Sequence, residues 1–86
     1  MKINELIKII EKKILSQDCI SKVKIEDKSF LHKNHQSNET GKFHILLLIE
    51  SAKLKEKNKL YSTRLIYKIL DKELKNDIHS LQIKLL

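Results

Sequence analysis

Apolar residues recur near the start of the chain at steps of three and four positions, which predicts an amphipathic helix over residues 3–15. Between residues 22 and 27 the pattern changes to alternation, with Val23 and Ile25 on one side and lysines on the other. This alternation is typical of a strand with one buried face. The helix buries an apolar stripe formed by Ile3, Leu6, Ile7, Ile10 and Ile14.

An unbroken apolar run at residues 45–49 lies within a second predicted strand over residues 42–51. Alternation is lost there, so both faces of this strand are expected to be covered, which favours the central position in a small sheet. Helices would cover one face. The segment near Leu54, or a partner, would cover part of the other.

The second half of the chain predicts a long helix and a final strand. Residues 53–59 are charged and predict a connecting loop, with a short helical turn as the alternative. Asn58 is the expected N-cap of a helix reaching Leu74. Residues 78–80 are expected in a short helical turn, and residues 81–85 alternate as a strand. The inward stripe of the long helix is predicted to contain Thr63, Ile66, Tyr67, Leu70 and Leu74.

The order helix, strand, strand, helix, short helical turn, strand predicts an α+β fold. We expect a two-layer sandwich in which helices cover one face of a three-stranded mixed sheet. The length of 86 residues predicts a single domain over residues 1–86. A chain of this size buries a small core, so a large enclosed active site is not expected.

The chain carries a formal net charge of +7, from 18 basic and 11 acidic residues. Arg64 is the only arginine, although arginine is the preferred reader of guanine edges. The lysines therefore indicate salt-sensitive attraction to polyanions, or a bias in composition. One cysteine, Cys19, excludes an internal disulfide, and no apolar run is long enough to span a membrane. We expect a cytoplasmic protein with no membrane partner.

Residues 27–44 hold three of the four histidines and the only glycine, in a polar loop between the first two strands. His32 and His35 form an H-x-x-H pair, and His79 is the distant fourth histidine. Solvated loop histidines and a zinc site built from these three residues are both open. His44 is expected to be structural or partly exposed. Glycine-rich phosphate loops and G-x-S-x-G are absent, and no catalytic residues are predicted.

Several short motifs along the chain together resemble those of the BolA-like proteins. Residues 27–32 match a D-x-S-x-x-H loop, Phe43 matches the phenylalanine of S-H-F, residues 65–67 match an apolar-apolar-Tyr triplet, and residues 78–81 resemble I-H-A-L. The resemblance implies a class II KH-like fold without enzymatic activity. It also implies an adaptor that pairs with a monothiol glutaredoxin and shares a glutathione-supported 2Fe-2S cluster with it.

In that family the cluster ligands are a loop residue and the histidine before the last strand, so the resemblance assigns His32 and His79, with His35 as the alternative loop ligand. Two histidines cannot complete such a cluster, because the other iron needs thiolates. The isolated chain, a monomer or weak homodimer, is therefore not expected to bind the cluster without its partner.

Some bacterial members of the family are DNA-binding transcriptional regulators, which is the alternative function. The candidate DNA contacts are Arg64 and Lys68 on the long helix. Ser62 and Thr63 stand where the family has basic residues, and Lys42 replaces the histidine of S-H-F. The loss of basic residues weakens this alternative and leaves the expected cluster ligands in place.

Overall fold

A computed structural model of the chain describes residues 2–29 and 43–86. It confirms the predicted α+β architecture with a three-stranded mixed sheet. The first helix and first strand have the predicted bounds, and the second strand is one residue shorter at each end. In chain order the elements are α1 (Ile3–Leu15), β1 (Lys22–Asp27), β2 (Phe43–Glu50), α2 (Ala52–Glu56), α3 (Lys59–Ile69), α4 (Asp71–Asn76) and β3 (Ile78–Leu85).

The central strand is β2, as the apolar run predicted. It pairs antiparallel with β1 and parallel with β3, so the sheet order is β1-β2-β3. Parallel strands need a long crossover connection, and α2, α3 and α4 supply it between β2 and β3.

One hydrophobic core lies between the helices and one face of the sheet. Ile45, Leu47 and Ile49 alternate along β2 and point into it, because successive side chains of a strand point to opposite faces. The helical layer contributes the stripe of α1 and residues from the crossover. The buried apolar residues are Leu6, Ile10, Ile14, Ile20, Ile45, Leu47, Ile49, Leu54, Ile66, Leu70 and Ile78.

The opposite face of the sheet is only half-covered by the described residues. Leu46 and Leu48 lie on this face at intermediate exposure, and they pair with polar or charged residues of β1 and β3. The expectation that Leu54 covers this face is wrong. Leu54 is 1% exposed and belongs to the core on the helical side, where the Ser51 side chain caps α2 by accepting the Leu54 N–H.

The predicted long helix is two helices. Asn58 caps α3 as expected, because its Oδ1 accepts the Tyr61 N–H at 2.8 Å. However, α3 ends at Ile69, and Leu70 leaves the helical region with φ −101° and ψ 20° before α4 begins. Tyr67 was predicted to face inward and is 43% exposed. Ser62 is buried instead, so the inward face of α3 is rotated from the predicted one.

A buried carboxylate ties α4 to α1. The Lys13 ammonium donates to both oxygens of Glu73 at 2.8 Å, and the side chains are 38% and 4% exposed respectively. Burial of a carboxylate is costly unless it is paired and hydrogen-bonded, so this contact constrains how α4 packs. In the part of the chain that is described, no helix has the length and apolarity to cross a bilayer.

Candidate metal-ligand site at one end of the sheet

The last strand begins earlier than predicted, and it begins irregularly. Residues 78–80 were expected in a helical turn, but they are the first residues of β3. Phe43 pairs with Ile78 and His44 pairs with Ser80, so the register leaves His79 as an extra residue opposite β2. A bulge of this kind redirects side chains. As a result His79 and Ser80 are both exposed although they are consecutive.

A second histidine lies directly beside His79. The ring centroids of His44 and His79 are 4.9 Å apart with an interplanar angle of 66°, which is the edge-to-face arrangement that aromatic rings favour. His44 is 6% exposed, and its Nδ1 shares a 2.6 Å hydrogen bond with the Ser80 hydroxyl. Either group can donate in this bond. The exposed imidazole thus rests against a buried and anchored one.

The Asp-x-Ser motif fastens the end of β1 to the same place. Asp27 Oδ1 accepts the Ser29 N–H at 2.9 Å, and Ser29 Oγ accepts the His44 N–H at 3.1 Å. The His44 carbonyl accepts the Lys28 N–H at 2.7 Å. The chain therefore leaves β1 at the end of the sheet where His79 lies.

The two loop histidines predicted as ligands, His32 and His35, lie outside the described residues. Their assignment stays a prediction, and so does the zinc site that would combine them with His79. Cys19 is half-buried against the core. It precedes Ser21, which bonds Glu50 at the far end of β2, so its thiol is not a neighbour of His79.

The described residues alone hold too few donor groups at this end of the sheet to complete a metal site. Across residues 2–29 and 43–86, no group of three or more His, Cys, Asp and Glu side chains converges as metal ligands. A 2Fe-2S cluster takes four terminal ligands, and histidines replace cysteines on one of the irons in some clusters. The described residues offer one exposed imidazole, His79, which a second molecule can approach from solvent.

The contact of His44 with His79 was not predicted from the sequence. His44 was expected to be structural or partly exposed, and it is buried in contact with His79. A signal was present, because a histidine follows the first residue of each of two strands that pair in parallel. The signal was missed because residues 78–80 were predicted as a turn. Ile78 and Leu81 are three positions apart, whereas apolar residues on one face of a regular strand are two positions apart. This spacing reflects the extra residue in β3.

The residues predicted for DNA contact, Arg64 and Lys68, are exposed one turn apart on α3. They line a surface cavity of about 420 Å³ together with Tyr61. This placement agrees with the outward face expected for Lys68. Contact with nucleic acid stays a prediction.

The fold and sequence of the chain match known proteins. It is similar to the BolA domain of SufE1 from Arabidopsis thaliana, with 27% identity and a TM-score of 0.75 over 99% of this chain and 92% of that one. BolA1 from Arabidopsis thaliana has 24% identity and a TM-score of 0.71, covering 91% of this chain and 86% of its own.

A Bol-like protein from Babesia bovis shares the fold at 22% identity and a TM-score of 0.68, over 92% of this chain and 80% of its own. No curated protein matches the chain. The family model described as BolA-like protein matches residues 15–86. Since this match covers most of the chain, the protein belongs to the BolA-like family.

Proposed function

We propose that the chain is a non-enzymatic adaptor that binds a monothiol glutaredoxin and shares or transfers a 2Fe-2S cluster with it. His79 is one ligand, and His32 is the loop ligand with His35 as its alternative. The observation that supports this best is the exposed His79 imidazole, presented by a bulge of β3 against buried His44, in a chain of the BolA-like family.

The chemistry of the proposal follows from the imidazole. A neutral imidazole is a good ligand for iron, so His79 must be deprotonated to bind, and ligation releases any proton it carries. The ring of His44 limits how far the His79 ring can turn. Hydrogen bonds and packing that orient a metal-ligating histidine are a general feature of metal sites. The cluster, when bound, supplies iron and sulfide for transfer or electron exchange.

The test mixes the full chain with a cluster-loaded monothiol glutaredoxin and glutathione, and follows the visible circular dichroism. We expect the wild-type chain to change the spectrum, and we expect His79→Ala to abolish that change because one ligand to iron is lost. Gln82→Ala is the matched control, since Gln82 is also exposed on β3. A wild-type spectrum from His79→Ala would reject the ligand assignment.

Binding of the chain to the glutaredoxin is also measured without the cluster. This measurement tests formation of the complex independently of cluster ligation by the histidines. We expect His79→Ala to retain the complex while it loses the spectral change. His32→Ala and His35→Ala in the same assay decide which loop histidine contributes. If the wild-type chain forms no complex with the glutaredoxin, with or without cluster, then the adaptor proposal itself fails.

A further inference from the structure

The outer edge of β3 is an open strand edge. Among residues 2–29 and 43–86, β3 pairs with β2 alone, and no other backbone hydrogen bond reaches residues 81–85. Every second N–H and C=O of such a strand points away from the sheet without a strand partner. An edge of this kind is a template for another strand unless the protein blocks it.

Open space lies along this edge. A groove of about 470 Å³ is bordered by side chains from both faces of β3, with Leu81 and Ile83 on the core face and Gln82 and Lys84 on the other. Its far wall is α3. An added strand would lie about 4.8 Å from β3, next to the β3 side chains that border this groove. We call it the β3-edge groove, lined on α3 by residues one turn apart, Lys59, Thr63 and Tyr67.

The groove continues toward α2. An adjoining cavity of about 310 Å³ shares Lys59, Thr63, Ile83 and Lys84 with it, and adds Lys55 and Lys57 to its lining. No acidic residue lines either cavity. Among the described residues, none of these four lysines forms an ion pair with a carboxylate.

We propose that the β3-edge groove binds an extended acidic peptide segment of a partner protein, which adds to β3 as a fourth strand. The backbone of the segment would pair with the open edge at residues 81–85, and its carboxylates would meet the four lysines. Main-chain pairing supplies the affinity in this mode of recognition, and side-chain complementarity supplies the selectivity. The proposal does not depend on the cluster ligands, since His79 lies at the other end of β3.

The charges decide between the possible occupants. A second copy of this chain would bring a net charge of +7 and the same lysines to the edge, and lysines on edge strands oppose such pairing. Single-stranded nucleic acid would satisfy the lysines, but it is held by stacking on several aromatic rings. Tyr67 is the one aromatic side chain that lines the groove. An acidic strand uses both the open edge and the lysines.

The test titrates three capped octapeptides into the ¹⁵N-labelled chain and follows its amide resonances. One alternates glutamate and valine, one alternates lysine and valine, and one repeats the acidic peptide with N-methyl groups on all its backbone nitrogens, so that neither edge of it can donate to a strand. We expect shifts at residues 81–85 with the first peptide only, weakening as salt rises. Equal binding of the N-methylated peptide would refute strand addition, and equal binding of the lysine peptide would refute charge recognition.

Charge reversal locates the site. Lys59→Glu combined with Lys84→Glu should weaken binding of the acidic peptide about tenfold, because each reversal replaces an attraction by a repulsion. Lys8→Glu combined with Lys12→Glu changes the net charge equally on exposed positions of α1 and should weaken it less than about twofold. Equal losses in both pairs would overturn the proposal. The proposal would also be overturned if a dT12 oligonucleotide bound at residues 81–85 and the acidic peptide did not bind.

Discussion

His44 occupies a position that is unusual for a histidine, because it is buried and yet contacts an exposed one. Its ring edge meets His79, its Nδ1 meets Ser80, and its backbone is held by Ser29 and Lys28. The exposed imidazole of His79 therefore has a fixed surface behind it. An imidazole with fewer orientations to lose binds a ligand at a lower entropic cost.

Two substitutions separate the ring contact of His44 with His79 from its hydrogen bond to Ser80. His44→Phe keeps an aromatic ring against His79 and loses the bond to Ser80, at a cost of about 1 kcal/mol in the free energy of unfolding. His44→Asn keeps a polar atom near Ser80 and loses the ring. If the ring contact positions His79, the visible circular dichroism of the glutaredoxin complex stays close to wild type with His44→Phe and changes with His44→Asn. The reverse order would assign the positioning to Ser80.

At the scale of elements, the ion pair between α1 and α4 is asymmetric. The Glu73 side chain is almost fully buried, while the Lys13 side chain is more than one-third exposed. Lys13→Met leaves the buried Glu73 carboxylate without its cation. Glu73→Gln leaves a lysine whose ammonium can move into solvent. We expect Lys13→Met to lower the free energy of unfolding by about 2 kcal/mol and Glu73→Gln to lower it by about 1 kcal/mol.

Urea unfolding followed by circular dichroism measures both values. Lys75→Met is the control, because its pair with Asp71 is solvent-exposed on both sides and should contribute little. A smaller loss for Lys13→Met than for Glu73→Gln would show that α4 relaxes to expose its carboxylate.

Local sequence signals predicted the elements that depend on local rules. α1 and β1 follow from periodicity, and the start of α3 follows from the side chain of Asn58. The break at Leu70 was not predictable in this way, because apolar residues continue through it and no glycine or proline marks it. The contact between His44 and His79 was also missed, because it depends on a strand register that pairs His44 with Ser80, 36 positions further along the chain. The loop assignments of His32 and His35 stay predictions.

At the scale of the whole molecule, the sheet has one tightly packed face and one lightly covered face in its described part. Leu47 and Leu48 are neighbours on β2, but Leu47 is 0% exposed and Leu48 is of intermediate exposure on the other side. Both faces of β2 were predicted to be covered, but in the described residues only the face toward the helices is fully buried. One face of β2 therefore lies in the core, and its other face lies near the surface.

Alanine substitution measures this difference between the faces. Leu47→Ala creates a cavity and should lower the free energy of unfolding by about 3 kcal/mol, a large share of the total for a small domain. Leu48→Ala should cost about 1 kcal/mol, since less of its surface is buried. Both follow from urea midpoints at equal slope. Similar losses at the two positions would mean that the second face is packed as tightly as the first.

Because β2 and β3 pair in parallel, the contact between His44 and His79 depends on folding of the segment that connects the two strands. Because a parallel neighbour is reached only through the crossover of α2, α3 and α4, closing that long loop is an entropic cost that precedes the contact. A partial opening that detaches β3 would separate the two imidazoles while α1, β1 and β2 stay together. If His79 is the proposed cluster ligand, its anchored orientation would then be present only in the completely folded chain.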